Sequence, residues 1–329
     1  MTIKTISILT IICIANFAFG QTISNLKLDN KISILNDRAF FVFPTDAKNV
    51  ARQGDIMSAD PNTSKETRII LDIDKQRLVF FAKELFQTNN SNFLEVLSKE
   101  NGEDFQNKIL TEKDSIISVL STPLKFDSTK NAILVNNLFV KTADNSIFVI
   151  GAYINPDAFK NKNEFQQLSE KVFSSFIKGD RKYNFKSRTE VLPIFDGKKN
   201  FKIELPNGFV VNKDKKYDFE VLKFQQVKDF SDTNWLSLTI YTGNHPSYFY
   251  GEYDLDESKS EKIKGQFLDQ NVEWMYFKDS DKHFYLKEQK IPSDNIEEGL
   301  IVHIAMLSNQ PKSIDELTKI IENIKVTNK

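Results

Sequence analysis

Thiol and imidazole chemistry are nearly missing from this chain. It has 1 cysteine and 3 histidines in 329 residues. The cysteine, Cys13, lies inside an apolar leader, so the chain that follows has no thiol at all. That excludes a cysteine nucleophile, a zinc–thiolate site and an iron–sulfur cluster. It also excludes disulfides, the usual staple of exported domains with thin cores. Stability must then come from packing, and 28 phenylalanines supply the apolar mass for it. Charge of one sign is missing too. The formal charge is −1, with lysines and acids interspersed, and losing Lys4 makes it one unit more negative. No basic face is visible to release counterions from phosphates, so nucleic acid is excluded as a partner. After the leader no apolar run reaches the roughly 20 residues that span a bilayer, so no transmembrane segment is expected.

What is present begins with that leader. Lys4 is followed by an almost unbroken apolar run from Ile6 to Ala15, and Ala18-Phe19-Gly20 offers small residues before Gln21. This is the grammar of a secretory signal peptide over 1–20. It implies a mature chain that works in the periplasm or outside the cell. Cys13 follows Ile12 rather than a small residue, so it reads as part of the leader's apolar core rather than as a lipid anchor.

Two halves with the same grammar follow, 21–184 and 185–329. The seam is placed where Lys178-Gly179-Asp180-Arg181-Lys182 closes one helical pattern and Pro193 and Gly197 punctuate the next strands. Each half opens on an apolar strand stopped by proline, Phe40–Pro44 and Phe201–Pro206. Each closes on an amphipathic helix. Phe165, Leu168, Val172 and Phe176 mark one, with Gly179 as its stop. Ile314, Leu317, Ile321 and Ile324 mark the other, with Ser313 and Glu316 as its capping box. Strands are expected at 67–73, 77–86, 132–140 and 146–154, then at 218–227, 235–242, 271–277, 283–289 and 299–307. Helical segments are expected at 92–120, as two helices broken near Gly102, and at 257–268. Phe105, Ile109, Ile116 and Leu120 mark the inner face of the first segment, and Ile263 and Phe267 that of the second. Strands and helices in this order argue for an α+β fold, two tandem domains each with a mostly antiparallel sheet flanked by helices.

The second half resembles the PsbP-like superfamily, which includes the bacterial DcrB-like proteins. The likeness rests on Phe201-Lys202-Ile203-Glu204-Leu205-Pro206-Asn207-Gly208-Phe209. It continues through Val272–Phe277 and Leu300–Ala305, and ends in the stretch Ile314 to Val326. The first half fits more loosely and lacks the Pro-Asn-Gly turn. The resemblance implies an antiparallel sheet with helices and a non-catalytic accessory or binding role, with no catalytic residues to carry over.

Sites of chemistry are few. His245, His283 and His303 stand in no zinc or catalytic spacing, and each has an ordinary structural reading. No nucleophile elbow, Walker loop or dinucleotide fingerprint occurs. The acids at Asp254, Asp256 and Glu257, and at Asp279 and Asp281, lack the spacing of a calcium loop. They read as a helix start and a hairpin tip. No cofactor or metal is expected. The best candidate is the loop His245-Pro246-Ser247-Tyr248-Phe249-Tyr250-Gly251-Glu252-Tyr253. Its binding residues would be His245, Tyr248, Phe249, Tyr250 and Tyr253, since crowded aromatics form binding hot spots. The alternative is that these rings cover the domain's own core or the seam. The expected function is an exported, non-catalytic binding or accessory protein of the cell envelope, including an inhibitor or immunity role. It would recognise a protein or small ligand. A hydrolase using scattered carboxylates and a histidine, and a carrier of hydrophobic ligands, are the two rivals.

Overall fold

A computed structural model describes residues 23–35, 37–50, 67–182, 185–195, 197–215, 218–279 and 283–329. The leader read in 1–20, and Asp281, lie outside these residues. The α+β expectation is overturned: 52 % of the described residues are in strands and 17 % in helices, so the protein is predominantly β. The overturning segments are specific. The region expected to be two helices over 92–120 holds one short helix, α1 (Phe93–Asn101), followed by a hairpin of two strands (Phe105–Lys113 and Ile116–Pro123). The helix expected over 257–268 is a single 3-10 turn and a strand (Glu261–Phe267). The cause is an ambiguity of period. Phe105 and Ile109, Ile116 and Leu120, and Ile263 and Phe267 are each spaced by four. Four fits one helix face and equally one strand face, whose period is two. The turns decide it. Asp114 and Ser115 have φ of 53° and 62°, and Leu268 and Asp269 have 49° and 62°. Two successive positive φ values make the tight turn whose twist matches a hairpin.

The first half has a small and a large sheet. The small one joins β1 (Leu28–Ile34), β2 (Ala39–Pro44) and β10 (Ile177–Lys178). The large one is built from β3 (Lys48–Asn49), β4 (Thr67–Ile73), β5 (Gln76–Thr88), β6 (Phe105–Lys113), β7 (Ile116–Pro123), β8 (Ile133–Lys141) and β9 (Ser146–Ile154). Its order is β3-β4-β5-β9-β8-β7-β6. Helix α2 (Lys162–Ser174) packs beneath it. The second half repeats this plan. Its small sheet is β11 (Arg188–Pro193), β12 (Lys199–Leu205) and β21 (Lys325–Asn328). Its large sheet uses β13 (Phe209–Lys215), β14 (Phe219–Gln226), β16 (Leu236–Gly243), β17 (Glu261–Phe267), β18 (Gln270–Asp279), β19 (Phe284–Pro292) and β20 (Ile301–Ser308), in the order β13-β14-β16-β20-β19-β18-β17. Helix α3 spans Pro311–Glu322. Pro311 takes its first position and Gln310 its N-cap, so Ser313 lies buried in the first turn instead of capping. Proline suits that first position because its missing N–H is unpaired there anyway.

In each half the core lies between the large sheet and the layer made by the small sheet and the closing helix. In the first, Phe43 meets Phe80 edge-on at 5.1 Å, and Phe80 meets Phe173 at 5.8 Å. In the second, Phe201 and Phe267 meet at 6.3 Å beside Trp274, Leu317 and Ile321. The phenylalanines thus do the work that disulfides do in thinner domains. Gly179, expected to stop a helix, is instead a close approach after β10. A Cβ there would lie 1.9 Å from the Asp37 carbonyl oxygen.

The halves meet through the connection after β14. There β15 (Lys228–Asp229) pairs in parallel with the end of β5, at Gln87 and Thr88. A bulge between Glu84 and Gln87, with Phe86 at φ 51°, bends β5 just before that pairing. Asp229 accepts the Asn90 N–H at 2.7 Å, and Phe230 packs on Phe93 and Phe139.

Candidate functional site

The aromatic loop connects β16 to β17 and folds back over the outer face of the second large sheet. Phe249 is its anchor. It is buried against Met275, Phe277, Leu286, Ala305 and Leu307. The anchor's backbone is held from below by one carboxylate. Glu288 projects from the middle of β19 and is fully buried. Its Oε2 accepts the Phe249 N–H at 2.9 Å and its Oε1 the Tyr250 N–H at 2.8 Å. His303 on β20 brings Nε2 to 2.9 Å from the same Oε2. A buried carboxylate is tolerated only with such partners. Here they are the N–H groups that a reversing loop would otherwise leave unpaired.

Around this latch the tyrosines remain half-buried. Tyr248 and Tyr250 stack at 5.2 Å with an interplanar angle of 27°. The Tyr248 hydroxyl donates to Gln289 Oε1 at 2.8 Å, and the Tyr250 hydroxyl to Glu257 Oε2 at 2.8 Å. Lys290 sets its ammonium 3.9 Å above the Tyr248 ring. Burial pushes the Tyr248 hydroxyl's pKa up, and the bond to Glu257 does the same for Tyr250. Burial lowers that of Lys290, with Glu288 and Glu257 opposing. Tyr253 packs on Phe284 at 4.5 Å. His245 is exposed at the start of the loop.

Of the residues singled out in the sequence, the structure thus groups Tyr248, Phe249 and Tyr250 with His303, which the sequence had set aside as structural. His283 sits apart on an exposed turn with φ 47°. Asp256 starts the 3-10 turn by accepting from Ser258, and no group of three or more metal-type ligands converges among the described residues. Sequence reasoning missed Glu288, Gln289 and Lys290. The run Lys287-Glu288-Gln289-Lys290 reads as solvated charge, and only the alternation of β19 points Glu288 at the loop.

Other concentrations of charge and space exist. Arg38, 2 % exposed, is gripped by Glu84 at 2.6 Å, Asp144 at 3.2 Å, the Arg181 carbonyl at 2.9 Å, Thr142 at 3.2 Å and Ser146. It ties the start of β2 to β5 and to the β8–β9 turn. A groove of about 630 Å³ lies between β12 and α3, with Arg188, Glu204, Glu316 and Lys319 among its lining residues. A second, of about 530 Å³, lies on the outer face of the first large sheet.

No helix among the described residues is long and apolar enough to cross a membrane. No protein-family model and no curated protein matches the chain.

Proposed function

We propose that the protein is an exported, non-catalytic binding protein of the cell envelope that meets a protein partner through the Tyr248–Tyr250 face of the second half. One observation carries the reading. The loop's core duty falls to Phe249 alone, yet two flanking tyrosines are stacked, oriented by hydroxyl bonds and left half in the open. Rigid, half-exposed tyrosines beside a cation are what binding hot spots are made of, because little side-chain freedom is lost on contact. The His303–Glu288 pair supports binding over hydrolysis. Both carboxylate oxygens are engaged by loop N–H groups beneath the aromatic layer, and a general base needs access to a substrate proton. Export follows from the leader read in 1–20, and the accessory role from the resemblance to PsbP-like proteins.

The test is capture from an envelope extract with the chain from Gln21 as bait, beside a Tyr248→Ala/Tyr250→Ala variant. Phe249 is kept in both, so the core beneath the loop stays closed. A partner held by the native bait and lost by the variant supports the reading. Equal capture by both, or capture by neither, overturns it.

A further inference from the structure

The halves treat their outer sheet faces differently. In the second half the aromatic loop closes over β18, β19 and β20. In the first, α1 occupies the same place in the chain order and covers Val119 and Ile147 with Phe93 and Leu97. Towards β4 and the start of β5 that cover ends, and no described element replaces it. The 530 Å³ groove lies there, a volume within the range of small-molecule sites.

Its floor is apolar. Ile70 on β4, Val79 and Phe81 on β5, and Tyr153 on β9 are all half-buried. Tyr153 lies flat because Gly151 has no side chain: a Cβ there would stand 2.5 Å from the ring's Cε2. Gly151 is also the register partner of Phe81, so the Tyr153 ring fills the space beside the Phe81 ring. The rim is cationic. Two arginines and no acidic side chain line the groove. Arg77 is held in place by Asp72 through contacts of 2.6 and 3.2 Å. Arg68 is exposed, leans over Phe81 at 5.7 Å and meets no carboxylate among the described residues. Asn155 is committed to the backbone of Arg77 and Lys75. Burial pushes the Tyr153 hydroxyl's pKa further up from its ordinary value.

We propose that this groove binds a small amphiphilic anion, an alkyl or aryl carboxylate or sulfonate, with its apolar body on Phe81 and Tyr153 and its head on Arg68. Charge complementarity selects the occupant. A neutral apolar body would make no use of Arg68, and a cation would be repelled by it, since Arg77 is already balanced by Asp72. A peptide adding itself as a strand is disfavoured by position. β5 and β9 are paired on both sides here, and β4 meets β3 at Ile69 and Ile70, so the backbone beneath the groove offers no continuous open edge. The inference stands independently of the loop in the second half.

Calorimetric titration with dodecanoate tests it, with dodecyltrimethylammonium as the cationic counterpart of the same chain length. One site per chain is expected, with no heat from the cation. Arg68→Gln removes the head contact and should weaken binding about tenfold or more, the worth of one charged hydrogen bond. Arg68 is exposed, so this variant retains the fold. Phe81→Asp places a like charge on the floor and should abolish binding, with thermal unfolding confirming that the chain still folds. No heat from dodecanoate up to millimolar concentration, equal binding of the cation, or unchanged affinity in Arg68→Gln would each overturn the proposal.

Discussion

Removing the carboxylate beneath the aromatic loop should release it. Glu288 receives two backbone N–H groups, at 2.9 and 2.8 Å, and the His303 ring at 2.9 Å. Glu288→Gln keeps the shape and one accepting oxygen but turns the other position into a donor. One charge-assisted bond is lost and one loop N–H then faces an NH₂ group, a change of about 2–3 kcal/mol. Glu288→Leu removes both acceptors and leaves the buried Phe249 N–H unpaired. The expected loss is about 4 kcal/mol, in the range for breaking one side of a buried charged contact. Urea unfolding measures the loss, with the slope unchanged between variants. Hydrogen exchange at the Phe249 and Tyr250 amides locates it, since these two should lose protection before the amides of β19 and β20. A Glu288→Gln protein within about 0.5 kcal/mol of the native one, with both amides still slow, would refute the reasoning. The loop would then be held by its rings alone.

The remaining expectations concern the first half and its junction. Arg38→Met strands Glu84 and Asp144 without their shared guanidinium, and should lower stability in urea by about 3–5 kcal/mol. Gly179→Ala drives a methyl into the Asp37 carbonyl at 1.9 Å; a loss of about 1–3 kcal/mol in the same assay is expected for such overpacking. Asp229 reports on the contact between the halves through pH. Burial pushes its carboxyl pKa up, but hydrogen bonds from Ser231, Asn90 and Ser91 outweigh this and leave it lowered. A lowered folded pKa means that the stabilisation is present above the unfolded value of ~3.9 and is lost as pH falls through the folded one. Between about pH 4 and lower values the native chain should therefore lose stability faster than Asp229→Asn does, and identical acid profiles would remove Asp229 from the junction's energetics.

Much of the strand layout can be read directly from sequence. Thr67–Ile73 matches its expected bounds through its alternation, and Ser146–Ile154 matches as a continuous apolar run held between turn residues. The closing helices are legible for the opposite reason: spacings that mix three and four fit no strand face. What escapes is the set of segments where the apolar residues read as a helix face stand four apart, a spacing a strand face shares, and where the deciding turns, Asp114-Ser115 and Leu268-Asp269, lack the Asn-Gly or Asp-Gly pairs that announce a hairpin. The site is legible in part. Crowded rings between Pro246 and Gly251 mark the loop, but its latch is 39 residues away from Phe249 in the chain. The groove is hidden more deeply, because Arg68, Phe81 and Tyr153 meet only through the β4-β5-β9 order.

That order sharpens the difference between the halves. Both large sheets have the same strand order, and both receive an insertion between their third and fourth strands in chain order: α1 in one, the aromatic loop in the other. The insertion decides how far the outer face is closed. On a face left to water, alternation places polar side chains at every second position. β5 breaks that rule at Val79 and Phe81, and β4 breaks it at Ile70, while Leu78, Phe80 and Ala82 already satisfy the core on the inner side. The fold does not need the outer set to be apolar, for nothing described packs on it. An apolar floor that the core does not use, edged by two arginines and flattened by Gly151, is accounted for by something that comes and goes from that face. In the second half Phe249 closes the outer face over β18, β19 and β20, and the loop presents its tyrosines there instead.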